Sequence, residues 1–409
     1  MVLYKREKYL KKIRPFYDTY DLIKVISGVR RCGKSSLMEM IADELRDRDI
    51  KDENIIYIDL DRRAYNKIKT AGQLEDFIAS KLSGDGLHYL FIDEVQNVNG
   101  FEEVLNGFRT EGGVSIFITG SNSYMLSGEL VTKLTGRYIE FEVYTLSFEE
   151  YVNMKKFYHK KVNSNLMLEL NQYILEGGFP RTVQIDDMAA KRTYVKEVVR
   201  EIFEKDIRRR AKIKDTAGFE AVRNFIINNF GATTSIKSLQ EALRKSGLSM
   251  GRGTISRYIQ ILLDAKILYE CNRFDMKSKR ALSGEKKYYL ADLSFYFALN
   301  TDNRINYGPV LENIVCFYAR SFDYAVSVGR IGKLECDFIL RDTEMDYSYI
   351  QVAYTIALSK ETEEREYSSL EAIRDNYKKY VVTTDYLLQK RSGIQHVNMM
   401  DFMMGEEKF

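Results

Sequence analysis

The sequence predicts an α/β fold whose N-terminal part is a parallel sheet of alternating strands and helices, and three observations carry that prediction. Residues 25–36, VISGVRRCGKSS, run from a β-branched strand end through a Gly28-x-x-x-x-Gly33-Lys34-Ser35 loop into a helix marked by Leu37, Met40, Ile41 and Leu45. A second apolar run, HYLFIDEVQ (88–96), ends in Asp93-Glu94 about 60 residues after that loop. Around both, short apolar runs alternate with stretches of helical periodicity, the pattern of βαβ units.

The glycine loop points to nucleotide. Gly28 and Gly33 let the backbone of Val29, Arg30, Arg31 and Cys32 turn its N–H groups inward onto a polyphosphate, which also meets the helix N-terminus at Lys34, Ser35 and Ser36. Lys34 is placed to reach the β- and γ-phosphates and the Ser35 hydroxyl to ligate Mg²⁺, so ATP and Mg²⁺ are the expected cofactors. Asp93, at the carboxyl end of its strand, would hold the metal shell, and Glu94 would polarise the attacking water.

Length and composition bound the rest. A chain of 409 residues exceeds one compact core, which implies two to four domains. The apolar share of 45% and charged share of 30% fit packed domains and exclude a long disordered tail. A net charge of +3 confines any nucleic-acid surface to a local patch. Cys32, Cys271, Cys316 and Cys336 are far apart and show neither zinc-site nor disulfide spacing, which fits a reducing cytoplasm. No stretch reaches 18 consecutive apolar residues, and MVLYKREKYLKKIRPF lacks the apolar core of a signal peptide. A cytoplasmic protein without membrane contact is expected, with Tyr4, Leu10 and Ile13 packing a basic leader helix inward.

In chain order, NIIYIDL (54–60) reads as a buried strand and Leu74, Phe77, Ile78 and Leu82 as an amphipathic helix. After the Asp93-Glu94 strand, Phe101, Val104, Leu105 and Phe108 mark a helix and VSIFITGSN (114–122) a strand. Thr119, Ser121 or Asn122 at its end would act as a polar sensor of the γ-phosphate, unless Gly120-Ser121-Asn122 is only a turn and helix cap. Leu126, Leu130 and Leu134 form a short helix ending at Gly136-Arg137, before the strand YIEFEV (138–143).

The P-loop, LFIDEVQ, FITGSN, TGRY and LSFEEY, in this order, resemble the AAA+-type ATPases of bacteria and archaea that carry a DUF4143-like C-terminal region. The resemblance implies that Arg137, before the fifth strand, is an arginine finger acting on a neighbouring subunit's nucleotide. Oligomerisation on ATP binding would then be required. It also implies that the helical stretch 147–215, opened by LSFEEYVNMKK and broken at EGGFPR (176–181), is a lid over the nucleotide. Arg181 is either a lid sensor or an exposed arginine at a helix start.

From Phe219 the pattern shortens to three helices and two strands, ILYECNRFD (267–275) and KKYYL (286–290), a winged-helix pattern over 216–290. Between Arg244 and Lys287 stand eleven basic residues against four acidic ones, an excess of about seven, which is the footprint of duplex DNA unless the module docks protein. In residues 291–409, Glu312 on a helix, Asp337 on a strand and YIQVAY (349–354) follow the order of a PD-(D/E)xK nuclease, which the DUF4143-like region resembles. The acid-x-Lys element reads Gln351-Val352-Ala353, so the lysine is missing and a carboxylate has become an amide. The expected whole is a P-loop NTPase with an AAA+-like sheet and helical lid, a winged helix and a PD-(D/E)xK-like α/β domain without nuclease activity. It would couple ATP hydrolysis to DNA or to a protein partner.

Overall fold

The computed structural model describes residues 2–82, 85–120, 134–208, 213–278, 280–300, 304–405 and 408–409. Ser121, Asn122, Leu126, Leu130 and Lys279 lie outside the described residues. The chain divides into two compact units, 1–143 with 205–207, and 144–204 with 208–409.

The first unit is a five-stranded parallel sheet. It comprises β1 (Ile23–Ser27), β2 (Ile55–Asp59), β3 (His88–Asp93), β4 (Val114–Thr119) and β5 (Tyr138–Glu142), in the order β2-β3-β4-β1-β5. Strands β1, β3 and β4 are buried along their whole length, which is why they read as unbroken apolar runs rather than as alternation. Helices α1 (Glu7–Ile13), α2 (Lys34–Arg46), α3 (Ala71–Lys81) and α4 (Phe101–Glu111) accompany the sheet. Most apolar positions that the periodicity marked are buried, such as Leu37 and Ile41 in α2 and Leu74 and Ile78 in α3, while Phe77, Leu82 and Phe108 are half-buried. The leader helix α1 buries Leu10 and Ile13 as expected and Tyr9 besides, while Tyr4 lies ahead of the helix and stays half-buried.

The second unit opens with α5 (Phe148–Phe157), α6 (Leu166–Glu176), a single turn at Pro180–Val183, and α7 (Met188–Glu201), which runs into a π-helical turn, Ile202–Arg208. The break at EGGFPR is held by a buried acid. Asp292 Oδ2 accepts the Gly178 N–H at 2.8 Å, and Leu146 N–H donates to the Gly178 carbonyl at 2.7 Å. Gly177 has φ +76°, and a Cβ there would lie 2.0 Å from Asp292 Oδ1, so only glycine fits.

The rest of this unit is one nine-stranded sheet. Helices α8 (Thr216–Asn228), α9 (Ile236–Lys245) and α10 (Arg252–Asp264) precede the hairpin β7 (Leu268–Asp275) and β8 (Arg280–Leu290), with the short β6 (Thr233–Ser235) pairing β8. Ser235 caps α9 in a full capping box with Ser238. After α11 (Ser294–Leu299) and α12 (Tyr307–Ser321) come β9 (Ala325–Ile331), β10 (Leu334–Arg341), β11 (Tyr347–Val352), α13 (Lys360–Glu371), β12 (Lys378–Thr383), β13 (Lys390–Arg391) and β14 (Ile394–Asn398). The hairpin does not end as a free wing. Residues 273–275 of β7 pair in parallel with 328–330 of β9, making the two expected C-terminal modules one continuous sheet.

Candidate functional site: the phosphate loop and the acids beside it

In the first unit, β1 ends at Ser27 and the loop 28–33 leads into α2, whose first residue is Lys34. Gly28 is obligatory. Its φ is +139°, and a Cβ would lie 2.1 Å from the Val143 carbonyl oxygen and 2.9 Å from Cys32 Sγ. The loop closes through Cys32 N–H to Val29 O at 3.2 Å, and the leader helix secures it when buried Arg6 donates Nη1 to Cys32 O at 3.1 Å. Lys34 Nζ folds back onto the Gly28 and Val29 carbonyls at 2.9 and 3.3 Å. Ser35 and Ser36 begin the first turn of α2, where N–H groups lack intrahelical partners. Cys32 is fully buried, and burial raises its thiol pKa, which removes it as a nucleophile.

The two acids stand at the carboxyl end of β3, next to the end of β4. Asp93 is buried and its Oδ1 accepts the Thr119 hydroxyl. The same Oγ1 accepts the Glu94 backbone N–H at 3.1 Å. Of the three sensor candidates, Thr119 therefore ties both acids to β4, a link set by the β3–β4 register. Glu94 has φ 56° and ψ 46°, a left-handed conformation uncommon outside glycine, and Oε2 accepts Gln96 Nε2. Burial raises its carboxyl pKa, although Lys34, Arg30 and the Gln96 bond all oppose that rise.

Arg137 is exposed at the N-terminal end of β5, and its backbone carbonyl accepts Ile23 N–H at the start of β1. Because β1 and β5 are parallel neighbours, this is the end of the strands opposite the phosphate loop. Its side chain donates Nη1 to Asn106 Oδ1 at 3.3 Å. Arg181 lies in the second unit and donates to Gln184.

The second unit holds a charge cluster that no linear spacing marked. Lys287 of β8 is buried and lies 3.0 Å from Glu312 Oε2, 3.0 Å from Glu335 Oε1 and 4.0 Å from Asp337 Oδ1. Arg273 of β7 donates Nη2 to Glu335 at 2.8 Å and also pairs with Glu285, while Tyr289 OH donates to Glu312 at 2.8 Å. Burial disfavours the Lys287 charge, but Glu312, Asp337 and Glu335 outweigh it and raise the pKa. Asp337 is raised well above the carboxylate range, first by burial and then by Glu312. The cation among these acids therefore comes from β8, not from β11. Gln351 of β11 turns elsewhere, accepting Ser369 Oγ at 3.0 Å. Among the described residues no group of three or more His, Cys, Asp or Glu side chains is arranged to hold a metal ion.

This cluster changes the basic footprint read from the sequence. Arg273 and Lys287 are buried in it, and Lys286 pairs with Glu270 at 2.7 Å, so three of the eleven cations serve internal ion pairs. Arg244, Lys245, Arg252, Arg257, Lys277 and Arg280 remain exposed. On α10 the inward positions are Ile255, Tyr258, Ile259 and Leu262, while Arg252, Thr254, Ser256, Arg257 and Gln260 face outward.

Comparison with known proteins agrees with the first unit and alters one expectation. An AAA domain model matches residues 20–152, and a domain of unknown function, DUF8612, matches 167–305. Beyond the AAA domain the model that matches is therefore DUF8612, and the expected DUF4143 region is not shown. All the motifs behind that expectation lie before residue 152, in the AAA part, and do not discriminate among the C-terminal regions attached to it. No helix among the described residues is long and apolar enough to cross a membrane. A Walker-type ATPase of Pyrococcus abyssi is similar in structure, with TM-score 0.52 at 17% identity, over 73% of this chain and 96% of that one. An uncharacterized protein of Haemophilus influenzae is 35% identical over 402 residues, 98% of each chain. One of Methanocaldococcus jannaschii is 32% identical over 86% of this chain and 79% of its own. On this identity over most of its length the chain belongs to one family with these two proteins, and its glycine loop, parallel sheet and match over 20–152 make its first unit an AAA-type P-loop domain.

Proposed function

We propose that the protein binds and hydrolyses ATP with Mg²⁺ and couples the nucleotide state to duplex DNA through α10 and its neighbours. The observation that carries the hydrolytic part is the single Thr119 hydroxyl holding both Asp93 and the Glu94 backbone at the end of β3. The residues present fit the cofactor: a glycine-enforced loop, a lysine at its head, a hydroxyl at the helix start and one buried carboxylate nearby. In this reading the loop N–H groups and Lys34 take the β- and γ-phosphates. Ser35 and Asp93 are the residues that would hold Mg²⁺, which when bound neutralises charge on the transferring phosphoryl group. Glu94 orients a water and takes its proton. Arg137, at the end of the strands away from its own loop, serves a neighbouring subunit's site, which makes a homo-oligomer the working form.

A thermal-shift titration checks the nucleotide site: ATP with Mg²⁺ should stabilise the wild type, and Lys34→Ala should abolish that stabilisation because the ammonium facing the phosphates is gone. ATPase assays with and without duplex DNA should show stimulation by DNA. Stimulation only by another protein would favour the alternative, a nucleotide-switched regulator in which hydrolysis is a slow timer.

The polar outward face of α10 supports the DNA part, because side chains on such a face can reach base edges while flanking arginines meet phosphates. Arg252→Ala with Arg257→Ala should weaken binding across all sequences. It should also flatten the slope of log K against log salt by about 0.9 for each phosphate that is no longer neutralised. An unchanged slope in a salt titration would remove α10 from the interface.

A further inference from the structure

Arg30 stands two residues past Gly28, in the phosphate loop itself. Its Nε and Nη2 donate to Asp206 Oδ2 and Oδ1, each at 3.0 Å, and the two side chains are only 13% and 9% exposed. Asp206 is 176 residues further along the chain, in the π-helical turn Ile202–Arg208. Of that turn only Lys205–Ile207 belong to the ATPase unit, whereas Glu204 and Arg208 on either side belong to the second unit. The chain thus enters the ATPase unit for three residues and makes a bidentate ion pair with its phosphate-binding loop. π-Helical turns are rare and concentrate at functional positions.

Resting on the reading that this loop takes ATP, we propose that Arg30 and Asp206 form a latch that senses the nucleotide. The triphosphate competes with the Asp206 carboxylate for the guanidinium, and its arrival releases Lys205–Ile207 from the ATPase unit. The competition follows from charge and shape. A guanidinium fork pairs bidentately with carboxylate or phosphate alike, and a triphosphate brings more negative charge and more oxygens than one carboxylate. A carboxylate beside the loop also repels the incoming anion, so the same residue that holds the latch lowers nucleotide affinity. By linkage, what nucleotide does to the latch the latch does to nucleotide. Glu204 and Arg208 are joined to Lys205 and Ile207 by single peptide bonds, so release of the turn is passed along the backbone in both directions.

Hydrogen exchange of peptides covering 202–208 in the full chain tests the latch, read beside a thermal-shift measurement of binding. With a saturating non-hydrolysable ATP analogue and Mg²⁺, the wild type should exchange faster in this turn than it does without nucleotide. Asp206→Asn should exchange fast from the start, respond no further to the analogue, and bind it about five- to tenfold more tightly. The double exchange Arg30→Asp with Asp206→Arg should restore slow exchange in the absence of nucleotide, which separates loss of the pair from general loosening. A wild type that binds the analogue by thermal shift yet keeps its exchange at 202–208 unchanged or slower overturns the latch and leaves the ATP reading standing. Affinity in Asp206→Asn equal to or weaker than wild type also overturns it. Absence of any thermal shift in the wild type removes the ATP reading and the latch together.

Discussion

Glu94→Gln is expected to lower ATP turnover by roughly 10²-fold or more while leaving nucleotide binding intact. Glutamine keeps the size of the side chain and still accepts from Gln96, so the left-handed backbone at residue 94 and its bond to Thr119 have no reason to move. It cannot take a proton from water. The pH profile gives a second reading of the same residue. Burial raises the Glu94 carboxyl, so the acid limb of wild-type turnover should lie above the ordinary carboxylate range. Below that limb Glu94 is protonated and cannot act as a base, and the rate should climb as pH rises through it. The glutamine variant should lack this limb. A variant that binds ATP and hydrolyses it at the wild-type rate would show that Glu94 is not the base.

Lys287→Ala should be the most damaging single change to stability in the C-terminal unit, costing about 3–5 kcal/mol. The lysine is the buried cation within 3.0 Å of both Glu312 and Glu335, and removing it leaves those acids and Asp337 facing one another in a low-dielectric place. The deficit should depend on pH with a definite sign. The Asp337 pKa is already held above its unfolded value by burial and by Glu312, and losing the ammonium that opposes this rise pushes it higher. Protonation then favours the fold, so the loss should shrink as pH falls through that raised value and grow as pH rises. Chemical denaturation of wild type and variant at neutral and mildly acidic pH measures both the size and the sign. The same variant separates two roles for this lysine. If Lys287→Ala were as stable as wild type yet flattened the salt dependence of DNA binding, Lys287 would be a phosphate ligand rather than the centre of an ion-pair cluster.

The five parallel strands and their helices were legible because each depends on residues close along the chain. Strands β1, β3 and β4 are buried throughout and announce themselves as unbroken apolar runs, and α2 and α3 repeat their apolar positions at helical spacing. The phosphate loop was legible for the same reason: its glycines, lysine and serine must be consecutive to make one turn, and Asp93-Glu94 must close a strand to face it. At 176–181 the glycines marked a break in the helical stretch, but not that buried Asp292, more than a hundred residues later, would be what holds it.

Tertiary structure decided everything that depends on which strands become neighbours. Thr119 could be named as a sensor candidate, but its grip on Asp93 follows from the register of β3 against β4. The pairing of β7 with β9 rests on three residues in each strand, too few to leave a pattern, yet it turns two expected modules into one sheet. That sheet carries Lys287 under Glu312 of α12 and toward Glu335 and Asp337 of β10, and so converts residues that count as DNA-facing charge in the sequence into a buried ion-pair cluster. Arg30 and Asp206 stand 176 positions apart and meet only in the folded chain. By itself the sequence determined the nucleotide loop, its acids and the parallel sheet, because local order along the chain is enough to build them. Ion pairs made across strands and between distant segments depend on which backbones pack side by side, and only the folded chain decides that.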